Sequence, residues 1–261
     1  MLFRSELTAI AAIVTGGASG LGAATARELA RRGARVVIAD IADDKGKAVA
    51  MSIDGAFAHV DVTSTDDIIA ATELAKTLGP VRALVNCAGT GLAARTVGRG
   101  GYDTAHDLSA FRRILEINTI GTFDCIRIVA TAMAAAEPLA DGERGAIVNT
   151  ASVAAFDGQI GQAAYAASKG GIVGMTLPIA RDLSAVGVRV CTIAPGLIDT
   201  PIYGEGPGSD AFKEKLKRDV LFPKRLGIAE EFATLAVEVL ANSYLNAEVI
   251  RLDGGARLQP K

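Results

Sequence analysis

Short apolar, β-branched runs alternate along the chain with longer stretches in which apolar positions recur every three or four residues. The runs at Thr8–Val14, Arg35–Ala39, Ala56–Val60, Val81–Val85, Ala146–Asn149, Val188–Ile193 and Glu248–Leu252 predict seven strands. The periodic stretches predict helices at about Gly20–Arg32, Asp43–Ser52, Asp66–Leu78, Ser109–Ala136, Gln162–Ser184 and Ala229–Ala241, several closed by Gly33, Gly79 or Gly187. Strands that are apolar on both faces and separated by helices need a parallel sheet with right-handed crossovers and a helical layer on each side. The predicted fold class is therefore α/β, a single domain with a seven-stranded, doubly wound parallel sheet.

Two stretches break the alternation. Residues 90–108 are Gly-rich and longer than an ordinary strand-to-helix connection, and residues 195–223 hold Gly196, Gly204, Gly206 and Gly208 with Pro195, Pro201, Pro207 and Pro223 around a short charged helix. Both follow strands at their C-terminal ends, the side on which open α/β sheets bind ligands. No linker, repeat or second domain is visible. At 261 residues, 50% hydrophobic and 21% charged, the chain has enough apolar material for one large core. A net charge of −2 gives no overall field to attract a polyanion, which argues against nucleic acid as a partner. Cys87, Cys125 and Cys191 sit in apolar text without metal-ligand spacing and read as reduced, with no metal expected. Met1–Leu7 lacks an apolar run of signal-peptide length, and nowhere do about 18 apolar residues run uninterrupted, so neither secretion nor a membrane span is expected and the cytoplasm is the expected location.

The candidate chemistry lies at the strand ends. Thr15-Gly16-Gly17-Ala18-Ser19-Gly20-Leu21-Gly22 follows the first strand and opens the first helix; glycines at 16, 20 and 22 permit a tight turn and let amides at a helix N-terminus approach a pyrophosphate. A lone Gly-rich turn carries little, but this position in a strand-turn-helix unit favours a dinucleotide cradle and a Rossmann fold. Asp40 ends the second strand about twenty residues further on, where a carboxylate accepts hydrogen bonds from adenosine ribose hydroxyls and repels a 2′-phosphate; the alternative is a cap for the next helix. Asp61-Val62 and Asn86-Cys87-Ala88-Gly89 end the third and fourth strands, and Asp61 is placed to accept from an adenine amine, although each also reads as an ordinary strand end. Ser152 follows the fifth strand. Tyr165 and Lys169, four apart, share one helix face, so an ammonium beside a phenol is expected to lower a pKa of about 10 toward working pH. A bare Tyr-x-x-x-Lys is common on helix surfaces; the serine, the glycines and Asp40 in order give it weight.

Taken together, the glycine turn, Asn86-Cys87-Ala88-Gly89, Asn118, Ser152, Tyr165, Lys169 and Pro195-Gly196 resemble the short-chain dehydrogenase/reductase family over essentially the whole chain. Within it, residues 146–199 and Glu248–Gly254 are similar to type II 3-hydroxyacyl-CoA dehydrogenases. The resemblance implies an enzyme that uses NAD to interconvert a secondary alcohol and a ketone, with a 3-hydroxyacyl-CoA as substrate, a hydroxysteroid as the alternative, and a non-catalytic scaffold in an RNA-processing assembly as the reading of another class. It assigns Asn118 to a catalytic tetrad with Ser152, Tyr165 and Lys169, holding a water that relays protons to Lys169 through the ribose. It further implies that Ser19, Leu21, Asp61, Val62, Cys87, Ile198 and Thr200 line the NAD site together with Gly16, Gly20, Gly22, Ala88, Gly89, Pro195 and Gly196, and that Gln162 approaches the substrate. Cys87 departs from the broader family, which more often has a second Asn there, though the acyl-CoA subgroup shares it; Ile198-Asp199 is a second departure. A homotetramer built on the long fourth and fifth helices and the last strand is also implied, and the mitochondrial matrix if the source is eukaryotic. In the second long loop, Lys213, Lys215, Lys217, Arg218, Lys224 and Arg225 form a basic cluster that reads either as a solvated helix face, interleaved with Glu214 and Asp219, or as a grip on coenzyme A phosphates.

Overall fold

The computed structural model describes residues 7–201, 204 and 206–260, so Met1–Glu6 of the N-terminal stretch lie outside it. Seven strands, β1 (Ala11–Thr15), β2 (Arg35–Asp40), β3 (Ala56–His59), β4 (Val81–Asn86), β5 (Gly145–Thr150), β6 (Val188–Pro195) and β7 (Val249–Leu252), form one sheet in the order β3-β2-β1-β4-β5-β6-β7. Every pairing is parallel. Among the described residues the helices are α1 (Gly20–Arg31), α2 (Asp43–Ser52), α3 (Thr65–Leu78), α4 (Leu108–Leu115), α5 (Gly121–Ala134), α6 (Ala154–Asp157), α7 (Ala163–Ser184), α8 (Pro207–Leu216) and α9 (Ala229–Ala241).

The strands split their side chains between two cores with a period of two. Ala12 and Val14 of β1 pack with Leu29 of α1 and with Phe232 and Val237 of α9, whereas Ala11 and Ile13 face Ile68 of α3, Val129 of α5 and Ile179 of α7. Phe232 and Leu29 are fully buried, each contributing about 1.5–3 kcal/mol of apolar transfer. The chain leaves β1 toward β2 on one side and β4 on the other, which opens a crevice above their C-terminal ends. The register brings those ends level. Thr15 lies opposite Asn86, Asn86 opposite Asn149, and Asn149 opposite Thr192. A buried polar row ties them: Thr15 Oγ1 donates to Asn86 Oδ1 (3.4 Å) and Asn86 Nδ2 to Asn149 Oδ1 (2.9 Å).

Apart from shifts of one or two residues at element ends, three features differ from the pattern. The first strand starts at Ala11 rather than Thr8, because Ala9 takes a left-handed φ of 63° in a turn tied to the carbonyl of Gly33. The helix read over Ser109–Ala136 is α4, a π turn at Glu116–Ile120 and α5 in succession, with αR backbone at both junctions. Periodicity alone does not register one wider turn. The four-residue α6 was not foreseen, being too short to show a period.

Candidate active site

The glycine turn is shaped by close approach. A Cβ on Gly22 would stand 2.2 Å from the carbonyl oxygen of Gly16, and one on Gly16 would stand 2.7 Å from the amide nitrogen of Ala88. Gly16 (φ 64°) and Gly20 (φ 49°) also take left-handed backbone, which side chains rarely adopt. Without side chains at these positions the turn packs tightly against the end of β4 and the start of α1, and Gly16, Gly20 and Gly22 line the cleft at the helix N-terminus. Asp40 reaches the same turn: Oδ2 accepts from the Ala18 amide (3.0 Å) and Oδ1 from that of Ala42 (2.9 Å) just before α2. Asp40 is not the cap of α2, whose N-cap is Ala42 with no side-chain bond; its two oxygens instead tie the glycine turn to that junction, and each keeps a second acceptor site.

A cavity of about 470 Å³ is lined by Gly16, Ser19, Gly20, Leu21 and Gly22 on one side. Asp40, Asp61, Val62, Cys87, Ala88 and Gly89 line it on the other. Asp61 Oδ1 accepts from Thr63 N (2.9 Å) and Oγ1 (2.7 Å), which with the nearby Arg113 keeps its carboxyl below the usual range. Leu21, Cys87, Gly89 and Thr200 also line a second cavity of about 580 Å³, so the two adjoin. Ser152, Gln162, Tyr165, Lys169, Pro195 and Gly196 bound this second space, with Ile198 beside them. Thr200 closes the join, its side chain 3.5 Å from where a Gly20 Cβ would be. Gly196 is needed where the chain turns out of β6, because a Cβ there would sit 2.6 Å from that of Asp253.

Ser152 leaves the end of β5 and is fixed by a bond from the Ala154 amide to its Oγ (3.1 Å), while Val153 N donates to Pro195 O (3.0 Å). Its hydroxyl lies close enough to the Tyr165 phenol to favour the ionised form. Lys169, 5% exposed, donates from Nζ to the carbonyl of Thr150 (2.8 Å), and the nitrogen lies 5.9 Å from the Tyr165 ring centre. The electrostatics differ from the sequence expectation. Burial pushes the Tyr165 phenol up, against a smaller lowering by Ser152, and burial pushes the Lys169 ammonium down to about 8. Spacing places the pair correctly but carries no information on how little water reaches it. The Cys87 thiol, also desolvated, is pushed up to about 11 and accepts from Thr150 Oγ1 (3.6 Å).

Asn118 does not line either cavity. It is fully buried in the π turn, where Oδ1 accepts from Thr90 N (2.8 Å) and Nδ2 donates to Thr90 O and Ser168 Oγ (2.9 Å each). Both amide hydrogens are thus committed to the backbone of the first long loop and to α7, so the side chain clamps the two together. Gly89 is the contact between them, since a Cβ there would meet Asn118 Oδ1 at 3.1 Å and Lys169 Nζ at 3.4 Å.

The basic cluster divides. Lys213 pairs with Asp199 (2.8 Å), Lys217 with Glu214, Arg225 with Glu231 (2.7 Å), and Lys224 donates to the carbonyl of Val220 (2.8 Å). Lys215 and Arg218 instead line an outer chamber of about 510 Å³, opposite Arg95. Ala93, Gln159 and Leu216 are common to this chamber and the catalytic cavity. Arg95, Arg113 and Ile117 are cavity residues that sequence reasoning missed; Arg113 and Ile117 were legible as a four-residue spacing on one helix face, and Arg95 was not.

A parallel sheet with its switch point above a glycine turn, and a serine, tyrosine and lysine gathered beside it, is the arrangement of an oxidoreductase site. The profile of the short chain dehydrogenase family matches residues 10–207, and the chain belongs to that family. It is 52% identical over 251 residues to a 3-hydroxyacyl-CoA dehydrogenase type-2 of Drosophila melanogaster, covering 95% of this chain and 97% of that one. The corresponding Homo sapiens protein is 50% identical over 254 residues, 96% of each. The crystal structure of 3-hydroxyacyl-CoA dehydrogenase type-2 from Mycobacterium avium superposes with a TM-score of 0.92 at 47% identity, covering 97% of this chain and 98% of that one.

Proposed function

We propose that this oxidoreductase uses NAD to interconvert a 3-hydroxyacyl-CoA and the 3-oxoacyl-CoA. The observation that carries the substrate class is a series of three spaces that share lining residues: the glycine cradle, the Ser152–Tyr165–Lys169 cavity, and next to it a chamber edged by Arg95, Lys215 and Arg218. A substrate that reaches from the reacting carbon into a cationic chamber carries its charge at a distance from that carbon, as a nucleotide thioester does. Asp40 at the ribose end of the cradle favours NAD over its 2′-phosphorylated form.

Bound at the cradle, NAD supplies the hydride acceptor or donor. The protein supplies orientation and proton handling. Ser152 Oγ and the Tyr165 phenol converge on the substrate oxygen, and the hydroxyl proton passes to the Tyr165 oxygen in oxidation and returns from it in reduction. The raised phenol pKa keeps Tyr165 protonated near neutral pH, the form that donates to a ketone; oxidation draws on the phenolate fraction. Lys169 holds its position through Thr150 and presents its charge to the ring.

The test is NADH formation with a panel of 3-hydroxyacyl-CoA esters, N-acetylcysteamine thioesters and hydroxysteroids. CoA esters should give the highest kcat/KM, in a manner that falls with added salt, and Lys215→Ala with Arg218→Ala should raise KM for them at least about tenfold while leaving the N-acetylcysteamine thioester unchanged. Tyr165→Phe should lower turnover by about a hundredfold or more. Steroids outperforming every CoA ester would overturn the substrate, and RNA retention at physiological salt without turnover would favour the scaffold reading. A homo-oligomeric state, a tetramer, belongs to the same proposal.

A further inference from the structure

Arg113 has no role in the chemistry described above. It lies in the last turn of α4, four residues before Ile117, so the two side chains share a helix face and both line the cleft opposite the glycine turn. Its Nη2 stands 3.9 Å from Asp61 Oδ2 and its Nη1 3.8 Å from Glu116 Oε2, both longer than a hydrogen bond. Asp61 is turned the same way: its Oδ1 is occupied by Thr63, which leaves Oδ2 toward Arg113. Between this charged edge and the strand ends the cleft is apolar, bounded by Ile41, Val60, Val62 and Ile117. A cleft with these apolar walls and with a carboxylate and a guanidinium among its lining residues suits a flat heteroaromatic ring that carries an amine at its edge. Guanidinium is planar and weakly hydrated, and it stacks on aromatic faces where an ammonium does not.

We propose that Arg113 is an adenine-recognition residue, with its guanidinium held against the purine while Asp61 Oδ2 accepts from the exocyclic amine. The inference rests on the dinucleotide reading of the cradle and adds to it the residue that grips the far end. Because the contact is with the base and not with the nicotinamide, it governs how long the dinucleotide stays bound and leaves the reacting atoms alone.

Equilibrium binding by fluorescence separates the two ideas, with NADH and reduced nicotinamide mononucleotide, which lacks the adenosine, as probes. Arg113→Ala should weaken NADH by about three- to tenfold and leave the mononucleotide within twofold of wild type. Arg113→Lys, which keeps the charge and loses the plane, should fall close to the Ala variant for NADH. The unfolding midpoint of both variants should match wild type, since Arg113 is an exposed side chain. Unchanged NADH affinity in Arg113→Ala would overturn the proposal, as would an equal loss for both probes or a Lys variant that binds like wild type. Wild-type protein that binds neither probe would instead overturn the dinucleotide reading itself, and this inference with it.

Discussion

Lys169 carries its ammonium where water hardly reaches, 5% exposed and hydrogen-bonded to Thr150 O, and the cost shows as a pKa moved from an ordinary 10.5 to about 8. Because the folded value lies below the unfolded one, the unfolded chain binds the extra proton between those limits, so stability rises with pH from about 8 upward. Tyr165 and the three thiols, all pushed up, work in the opposite direction at higher pH. Comparison with Lys169→Met cancels them. Urea unfolding at pH 7.5 and 9 should therefore show wild type gaining about 1 kcal/mol relative to Lys169→Met; identical pH dependence in the two proteins would mean that Lys169 is solvated in solution. At this scale the sequence discloses partners that share a helix face, Tyr165 with Lys169 above all, because spacing is geometry. It does not disclose which of six clustered cations are already neutralised: Lys213 is matched to Asp199 across a turn, whereas Lys215, two residues later, faces the outer chamber.

The elements work as levers for particular backbone positions. The π turn at Glu116–Ile120 brings Asn118 to Thr90 and so holds the start of the first long loop against α7. The long helix around Asn118 was legible from its apolar period, but the wide turn was not, since one extra residue per turn leaves the surrounding pattern almost unchanged. Strands were legible wherever apolar runs were continuous; the ends failed where a local turn, as at Ala9, overrides the run. The glycine turn between β1 and α1 was readable in full, for the reason that also makes it testable. With 2.2 Å between a Gly22 Cβ and Gly16 O, Gly22→Ala must displace the turn itself rather than a flexible side chain. NADH affinity should fall at least about tenfold and the unfolding midpoint should drop by several degrees, in line with about 1–3 kcal/mol of overpacking. Normal NADH binding by Gly22→Ala in titration calorimetry would show that the turn does not meet the cofactor.

At the scale of the molecule, the sheet order and the level strand ends put all the motif-bearing loops on one edge, and the opposite requirement falls on the helices that cover the sheet. They should be polar outside. The segment through the π turn and α5 is not: Ile120 is 60% exposed, Phe123 46% and, on α7, Leu177 43%. Large apolar side chains on neighbouring helices are what a subunit interface leaves uncovered on a single chain. Closed symmetry favours a self-complementary patch, in which one helix pair meets its own copy. Light scattering on a sizing column at micromolar protein should therefore give a mass above that of one chain, two chains from this patch alone and four if a second face also pairs, and Ile120→Glu with Phe123→Glu should reduce it, because two buried carboxylates at each contact would face their own copies without a cation. The dissociated protein should still bind NADH, since neither residue lines the cleft, which separates assembly from cofactor binding. A monomer mass for the unmodified chain would leave these apolar side chains as solvent-facing surface and would remove the helices from any role in assembly.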